Sequence, residues 1–467
     1  MEPFIHLHVH TQYSLLDGQA SIDALVDKAQ KDGMNAIAVT DHGNMFGIKE
    51  FFNKVSKKNG KPLGAIKDLE KEQKALKGKE ELTAEEQARL GEIPGLIEAE
   101  KKKIFKPIIG CECYCARNGR FSKTAKEDRS GYHLIVLAKN LNGYKNLIKM
   151  VSISWTEGFY GRPRIDHELL EKYHEDLIIC SACLGGEIPQ HIMHDRIDKA
   201  EESILWFKNL FGEDYYLEMQ RHETHDPNAD CTTFPKQQEV NKVLIELARK
   251  HNVKLIATND VHFVNQEDAE AHDRLICLST GKDLDDPTRM RYSKQEWMKT
   301  TAEMNAIFAD IPEALSNTLE IADKVDFYSI DSGPIMPTFA IPEEFGTEES
   351  YRAKLTEQDL FEEFTRDENG KVVLSEEDAK DKIKKLGGYD KLYRIKLEAD
   401  YLRKLTYDGA KICYGENLTD EVRERLDFEL HIMKTMGFPG YFLIVQDFIA
   451  AAREELGVSV GPGRGSA

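Results

Sequence analysis

Nine residues able to hold a metal ion are spread through the first 262 positions of the chain. His8, His10 and Asp17 stand in HLHVHTQYSLLDG, His42 in AVTDHGN, and Glu112 in IIGCECY. His133 in GYHLIVLAKN, Cys183 in CSACLGGE, and Asp260 with His262 in ATNDVHF complete the set. Imidazole, carboxylate and thiolate are the ligand types that hold Zn²⁺, Mn²⁺ or Fe²⁺. His8 and His10 are two residues apart, so on a strand both side chains fall on one face with Val9 on the other. Asp260 and His262 repeat that spacing around Val261. A lone histidine such as His167, His174 or His251 reads instead as a solvated or capping residue. Two H-x-H or D-x-H pairs, a TDH and a carboxylate inside an apolar run point to one multi-metal centre.

Such a set converges only if strands carry it. Apolar, β-branched runs at Phe4–Val9, Ala36–Thr40, Pro107–Glu112, His133–Ala138, Leu177–Ser181, Tyr215–Met219 and Lys254–Thr258 read as seven strands. Between them run amphipathic segments such as Ile22–Asp32 and Gln237–His251, with apolar residues three and four apart. Strands alternating with helices imply parallel pairing and a barrel-like or doubly wound α/β domain. Most ligands fall at or just past a strand's carboxyl end, the rim where barrel enzymes place their chemistry, although His8, Glu112 and His133 lie inside or at the start of theirs. Residues 1–285 are expected to form this domain.

Residues Ser56–Lys106 break the rhythm. They are dense in Lys and Glu, carry no His or Cys, and read as a solvated helical excursion, with Thr83 and Glu86 forming a capping box. After 285 the character changes. A charged stretch, Glu343–Asp390, leads to helical patterns at Asn417–Met436 and Tyr441–Leu456, with Gly437, Pro439 and Gly440 at the turn between them. VSVGPGRGSA then reads as a short strand entering a glycine-rich loop, as in part of a longer protein.

The chain has 467 residues, 41% hydrophobic and 31% charged, which fits a soluble protein of two to four domains. No apolar run approaches the ~18 residues of a membrane span, and no secretory signal opens the chain, so a cytoplasmic protein with no membrane partner is expected. Its eight cysteines are too few and irregular for a disulfide framework. Cys111, Cys113 and Cys115 share one face of a strand and read as packing residues; Cys183 is the one cysteine assigned as a ligand. The net charge of −19 disfavours nucleic acid on average, so any DNA contact must be local.

The set HVHTQYSLLDG, TDHGNMFG, GCECY, YHLIVLAKN, SACLGGE and TNDVHF resembles the PHP (polymerase and histidinol phosphatase) domain. The tail GFPGYFLIVQDFI…VGPGRGSA resembles the beginning of the palm of bacterial replicative DNA polymerase III alpha subunits. The likeness runs nearly end to end, with Ser56–Lys106 and Glu343–Asp390 enlarged. It implies a distorted seven-stranded β/α barrel over 1–285, followed over 286–467 by a mostly helical α+β part of the palm. It also implies two or three divalent ions (Zn, Mn or Fe). His8, His10, Glu112 and Asp260 would share one, Glu112 would bridge to a second on His133 and Cys183, and Asp17, His42 and His262 would take a third.

Clustered metals suit phosphodiester hydrolysis, which in this family means removal of nucleotides from a primer 3′ end. Arg464, Gly465 and Ser466 would cradle the triphosphate of an incoming nucleotide, although a G-x-G-S loop alone is more often a plain turn. The Mg²⁺-binding aspartates of polymerisation belong further along than Ala467, so Mg²⁺-dependent synthesis is expected of the full-length protein and not of this chain. The implied partners are a DNA primer-template, a sliding clamp and other replisome subunits. Two other readings stand beside exonuclease action: a phosphoesterase for small esters, against which the GPGRGSA tail counts, and metals that only brace the fold.

Overall fold

The computed structural model describes residues 1–79, 82–333, 335, 337–367 and 370–463. The chain divides into two compact units, Met1–Asp331 and Ser332–Ala467. Residues 286–331, expected with the second domain, stay with the first because they pack on its sheet. Asn317 donates to the Leu255 carbonyl (2.8 Å), and Tyr216 Oη donates to Glu320 (2.7 Å).

In the first unit seven strands are formed: β1 (Ala36–Val39), β2 (Lys106–Cys115), β3 (Tyr132–Ala138), β4 (Arg164–Ile165), β5 (Leu177–Cys180), β6 (Tyr215–Met219) and β7 (Lys254–Ala257). Their order is β1-β2-β3-β5-β6-β7, with β4 added to β2. The β1–β2, β5–β6 and β6–β7 pairs are parallel, but β3 runs antiparallel to both β2 and β5, against the all-parallel expectation. The reason is local. The link from β2 to β3 holds only the short turn Lys126–Arg129 and no crossover helix, so the chain must return beside itself.

The strand membership also differs from expectation. Phe4–Val9 forms no continuous ladder, and β4 was not anticipated, being only two residues long. The amino-terminal segment nevertheless occupies a strand's place. Ala38 N donates to His6 O (2.9 Å), Thr40 N to Val9 O (2.8 Å), and His10 N to Val261 O (2.7 Å). One segment thus touches the β1 side and the residues after β7, and the curled sheet turns its two edges toward it. The result is a distorted, barrel-like sheet with the core on both faces. β1 and β5 are buried along their whole length, as strands covered on both sides must be.

Residues Ile22–Lys31 form the first helix, started by Ser21, whose hydroxyl accepts from Ala24 N. The second unit is helical: Glu348–Lys354, Glu357–Thr365, Glu376–Lys385, Tyr389–Tyr414, Asp420–Thr435 and Pro439–Ala450. Val458–Val460, read as a short strand, has no strand partner among the described residues, and Gly457 in the left-handed region turns the chain just before it. Arg464, Gly465 and Ser466 lie outside the described residues.

The charged excursion is a pair of helices, Gly60–Lys77 and Ala84–Lys101, the second started by the expected Thr83/Glu86 capping box. Arg89 and Glu72 pair across it at 2.8 and 3.0 Å. Buried Asn59 closes its neck, donating to the Phe105 carbonyl (2.8 Å) and accepting from the Phe105 amide (3.0 Å). The sheet therefore meets the same tied neck whatever lies beyond it. Replacing residues 61–103 by a short Gly/Ser linker is expected to leave the far-ultraviolet circular dichroism of the rest intact and the thermal midpoint within about 5 °C. Asn59→Ala, which strands two buried backbone groups, should cost about 2 kcal/mol. An insoluble linker variant would show that the excursion is part of the core.

Candidate metal centre

All nine predicted ligands come together at one end of the sheet. His8 and His10 lie on the amino-terminal segment, Asp17 and His42 on the loops that follow it and β1, and Glu112 near the end of β2. His133 opens β3, Cys183 follows β5, and Asp260 with His262 follows β7. The same-face expectation for His8 and His10 is met, since their Nε2 atoms are 3.1 Å apart. Asp260 and His262 reach one site by another route. Asp260 sits in the left-handed region (φ 45°), so a backbone twist rather than a strand pleat aims its carboxylate. Leu16 and Ala182, immediately before Asp17 and Cys183, share that conformation (φ 61° and 62°). Backbone strain at one ligand and immediately before two others is the kind a rigid fold sustains around a site.

Glu112 touches every part of the cluster. Its Oε1 lies 3.3 Å from His8 Nε2, 2.8 Å from His133 Nδ1 and 3.9 Å from Cys183 Sγ, and its Oε2 lies 3.6 Å from His10 Nε2 and against His42 Nδ1. Asp260 Oδ1 stands 3.1 Å from His8 and 3.2 Å from His10, and 3.7 Å from His262 Nδ1. Asp17 lies 3.1 Å from His42 and 3.8 Å from His262. Three sets have ligand atoms within 4.8 Å of one another: His8, His10 and Glu112; Glu112, His133 and Cys183; and His10, His42 and His262. His10 thus also lies within reach of the group in which the resemblance placed Asp17, His42 and His262.

These spacings suit ions. Four nitrogen or oxygen ligands about 2.05 Å from a tetrahedral Zn²⁺ stand about 3.3 Å apart, and a sulfur–nitrogen edge is about 3.6 Å. The His8–His10, His8–Asp260, His10–Asp260 and His8–Glu112 separations run from 3.1 to 3.3 Å, at or just under the first value. Cys183 Sγ to His133 Nδ1, at 3.6 Å, matches the second. The orientations agree. Both ring nitrogens of His42, Glu112 Oε2 and Asp260 Oδ1 are buried and lack a hydrogen-bond partner despite these close neighbours. Their lone pairs aim past one another, as ligands around a common centre do.

The charges follow. Burial works against ionising Glu112, yet the His133, His42 and His8 rings outweigh it and drive the carboxyl well below the usual range. Burial likewise opposes charge on His8, but Asp260, Glu218 and Glu112 raise its pKa well above the imidazole norm. His10, 3.1 Å away, is pushed by burial and by His42 and His262 down to about 3, since neighbouring rings cannot share the positive charge.

Several supporting residues escaped the sequence reading. Glu218, fully buried on β6, contacts His8 Nδ1 at 2.6 Å and so turns Nε2 toward the centre. Its signal was present: a carboxylate inside the apolar run YYLEM. Asp41 accepts from Thr11 N (2.7 Å), Thr11 Oγ1 (2.9 Å) and Ser14 Oγ (2.7 Å), fixing the turn after His10. Tyr292 Oη donates to Asp17 (2.8 Å) from a position nothing in the sequence marked. Gly185 is required because a Cβ there would meet the His133 ring at 2.9 Å.

Outside the cluster a cavity of about 350 Å³ opens beside Asp17 and His42. Its wall carries exposed Phe46, Trp155 and Phe159. The Trp155 and Phe159 rings stack at 5.5 Å and 15°. Trp155 Nε1 donates to the Gly43 carbonyl (2.8 Å), which ties this platform to the His42 loop. Arg162 lies on the same wall, over the Tyr114 ring at 5.6 Å.

Residues 6–222 match the family model described as the PHP domain, and residues 400–467 match the model described as the bacterial DNA polymerase III alpha NTPase domain. A protein of Borreliella burgdorferi named DNA polymerase III subunit alpha is 40% identical over 99% of this chain and 31% of its own length. Proteins of the same name from Treponema pallidum and Thermus aquaticus are 34% and 35% identical over 99% of this chain, and over 31% and 34% of their own lengths. The chain spans about a third of the length of these relatives. No helix among the described residues is long and apolar enough to cross a membrane.

Removing His8's support should loosen the metal without removing a ligand. Glu218→Ala is expected to weaken zinc or manganese affinity 10- to 100-fold in a chelator competition, while His10→Ala and Asp260→Ala lose bound metal outright and melt at lower temperature. Unchanged metal content in all three variants, measured by elemental analysis, would refute the ligand assignment.

Proposed function

Because this chain belongs to the family of bacterial DNA polymerase III alpha subunits, we propose that its metal centre hydrolyses phosphodiester bonds at the 3′ end of DNA. The observation that carries the reading is Glu112, one buried carboxylate in contact with all three sets of ligand atoms, so that ions held there would sit close enough to act on one phosphate. Such ions, when bound, supply positive charge for the phosphate and acidify water.

The protein's own part is position and access. Glu218 orients His8, Asp41 fixes the His10 turn, and Tyr292 holds Asp17 toward His42. The platform of Trp155, Phe159 and Phe46 offers flat faces to unstacked bases, and Arg162 offers a guanidinium to the backbone beside them. A duplex end would have to fray to use these faces, so the favoured substrate is a single-stranded or mispaired 3′ terminus. The wider activity of the whole protein, as its relatives' name indicates, is DNA-directed DNA synthesis on a primer-template, with Arg464, Gly465 and Ser466 as the nucleotide contacts. Zn²⁺, Mn²⁺ or Fe²⁺ suit the hydrolytic centre.

A second reading has its own support. His8, His10 and Glu112 are completely buried, so ions there would also brace the sheet. One assay separates the two. A 5′-labelled primer with an unpaired 3′ end is expected to shorten with Mn²⁺ or Zn²⁺, and chelator or His8→Ala should reduce the rate at least 100-fold. Metal-loaded protein that shortens nothing leaves the bracing role.

The platform adds a finer test. Trp155→Ala and Phe159→Ala should each raise KM for the single-stranded end roughly 5- to 100-fold, the value of one stacked base, and leave kcat near wild type. A fall in kcat at unchanged KM would place these rings outside the binding path.

A further inference from the structure

We infer that the first unit holds a second, separate zinc site, built by Cys115, His167 and Glu187 on the face of the sheet opposite the centre described above. β2 alternates: Glu112 and Tyr114 face the ligand cluster, so Cys111, Cys113 and Cys115 face the helices behind it. At the end of the strand, the Cys115 sulfur, a His167 ring nitrogen and a Glu187 carboxylate oxygen lie within 4.8 Å of one another. His167 opens the helix His167–Tyr173 and Glu187 opens the helix Glu187–Met193. None of the three belongs to the nine ligands already placed. The sequence offered no reason to join them, since Cys115 read as packing and His167 as a solvated histidine.

The donor set and its geometry point to zinc. Thiolate, imidazole and carboxylate together suit a borderline-soft ion better than Mg²⁺ or Ca²⁺. His167 Nε2 and Glu187 Oε2 stand 3.3 Å apart, the edge of a zinc tetrahedron. The His167 ring is already held, stacked on Trp206 at 4.0 Å and 15°. Glu187 Oε1 accepts from Ser203 Oγ at 2.6 Å. The fourth position falls to water or to His191, one helical turn beyond Glu187 on the same face, with Nε2 3.9 Å from Glu187 Oε1.

Two independent features mark the place as prepared for a ligand. Tyr215 Oη is buried without a hydrogen-bond partner among the described residues, and the neighbouring Glu187 is among the groups that hold its proton on. His191 Nδ1 is likewise buried and without a hydrogen-bond partner among the described residues. Water on an ion at this point would give Tyr215 Oη a partner. Binding requires the Cys115 thiol, held protonated by burial and by Glu187, to give up its proton, so one proton leaves per ion bound. The ion would join the end of β2, which carries Glu112, to the turn after Cys183, clamping two parts of the main centre from behind.

The test uses the whole chain and metal readouts alone. Zinc per chain, by elemental analysis, should fall by one equivalent in both Cys115→Ser and His167→Gln. His167 is half-exposed, so the second variant does not threaten the fold, and circular dichroism checks both. Cobalt loading separates the two thiolate sites. In a Cys183→Ser background the thiolate-to-cobalt charge-transfer band should persist, and adding Cys115→Ser should abolish it. Equal zinc in wild type and both folded variants, or no such band in folded Cys183→Ser protein, would overturn the site.

Discussion

The first unit is organised around one carboxylate that has no business being where it is. Glu112 is fully buried near the end of a strand that, after Lys106, is otherwise apolar or small. An isolated ionised carboxylate in such a place costs several kcal/mol even after relaxation. The fold answers with four imidazoles from three segments: His8 and His10 from the amino-terminal segment, His42 after β1, and His133 on β3. Each approaches the carboxylate from a different direction, across the curled sheet. The left-handed residues Leu16, Ala182 and Asp260 belong to the same requirement, because each re-aims the chain at a ligand. The surrounding core, with Ile108, Ile109, Val136 and Ile179 essentially inaccessible, supplies the rigidity that sustains this strain.

How much of this was legible in the sequence follows from the range of the forces involved. The ligands were readable because they interrupt apolar runs at two-residue spacing, a local pattern that survives without knowledge of the fold. Most strands were readable for the same reason, and all nine ligands converge. Phe4–Val9 misled because its composition is that of a strand while its hydrogen bonds are divided between Ala38, Thr40 and Val261. The antiparallel turn of β3 was hidden because the link before it looks like any loop; what decides it is the missing helix. β4 is set by Arg164, whose guanidinium reaches the carbonyls of Gly158, Arg120, Ser122 and Asp128, a convergence that no period announces. Tyr292 and Ser14 act across long sequence distances and leave no local trace.

The overall charge of −19 argued against a nucleic-acid partner, and the structure relocates that argument rather than cancelling it. Part of the excess acid lies in the stretch Glu343–Asp390, whereas Ser56–Lys106 has more Lys and Arg than Asp and Glu, and charge on solvated helices is screened within about a Debye length. Beside the cavity the composition is different: three exposed aromatic rings, Arg162, and a cluster whose carboxylates call for cations. On the proposed function, a strand entering there would meet flat aromatic surface and the Arg162 guanidinium rather than the mean field of the whole chain.

Bracing and hydrolysis are usually set against each other, but burial across the cluster grades from one to the other. His8, His10 and Glu112 are sealed, whereas Asp260, Asp17 and His133 expose 15%, 26% and 26% of their side chains. An ion held by the sealed members would brace the sheet. One held by Asp17 and His42, which line the cavity, would be within reach of a phosphate placed there. Glu112 belongs to both, since Oε1 lies beside sealed His8 and half-open His133, and Oε2 beside sealed His10 and against His42. The stability of the inner part is then what keeps the outer part within the few tenths of an ångström that phosphoryl chemistry demands. On this view the left-handed residues, Asp260 itself and those just before Asp17 and Cys183, stand where geometry has to be exact and packing alone does not enforce it.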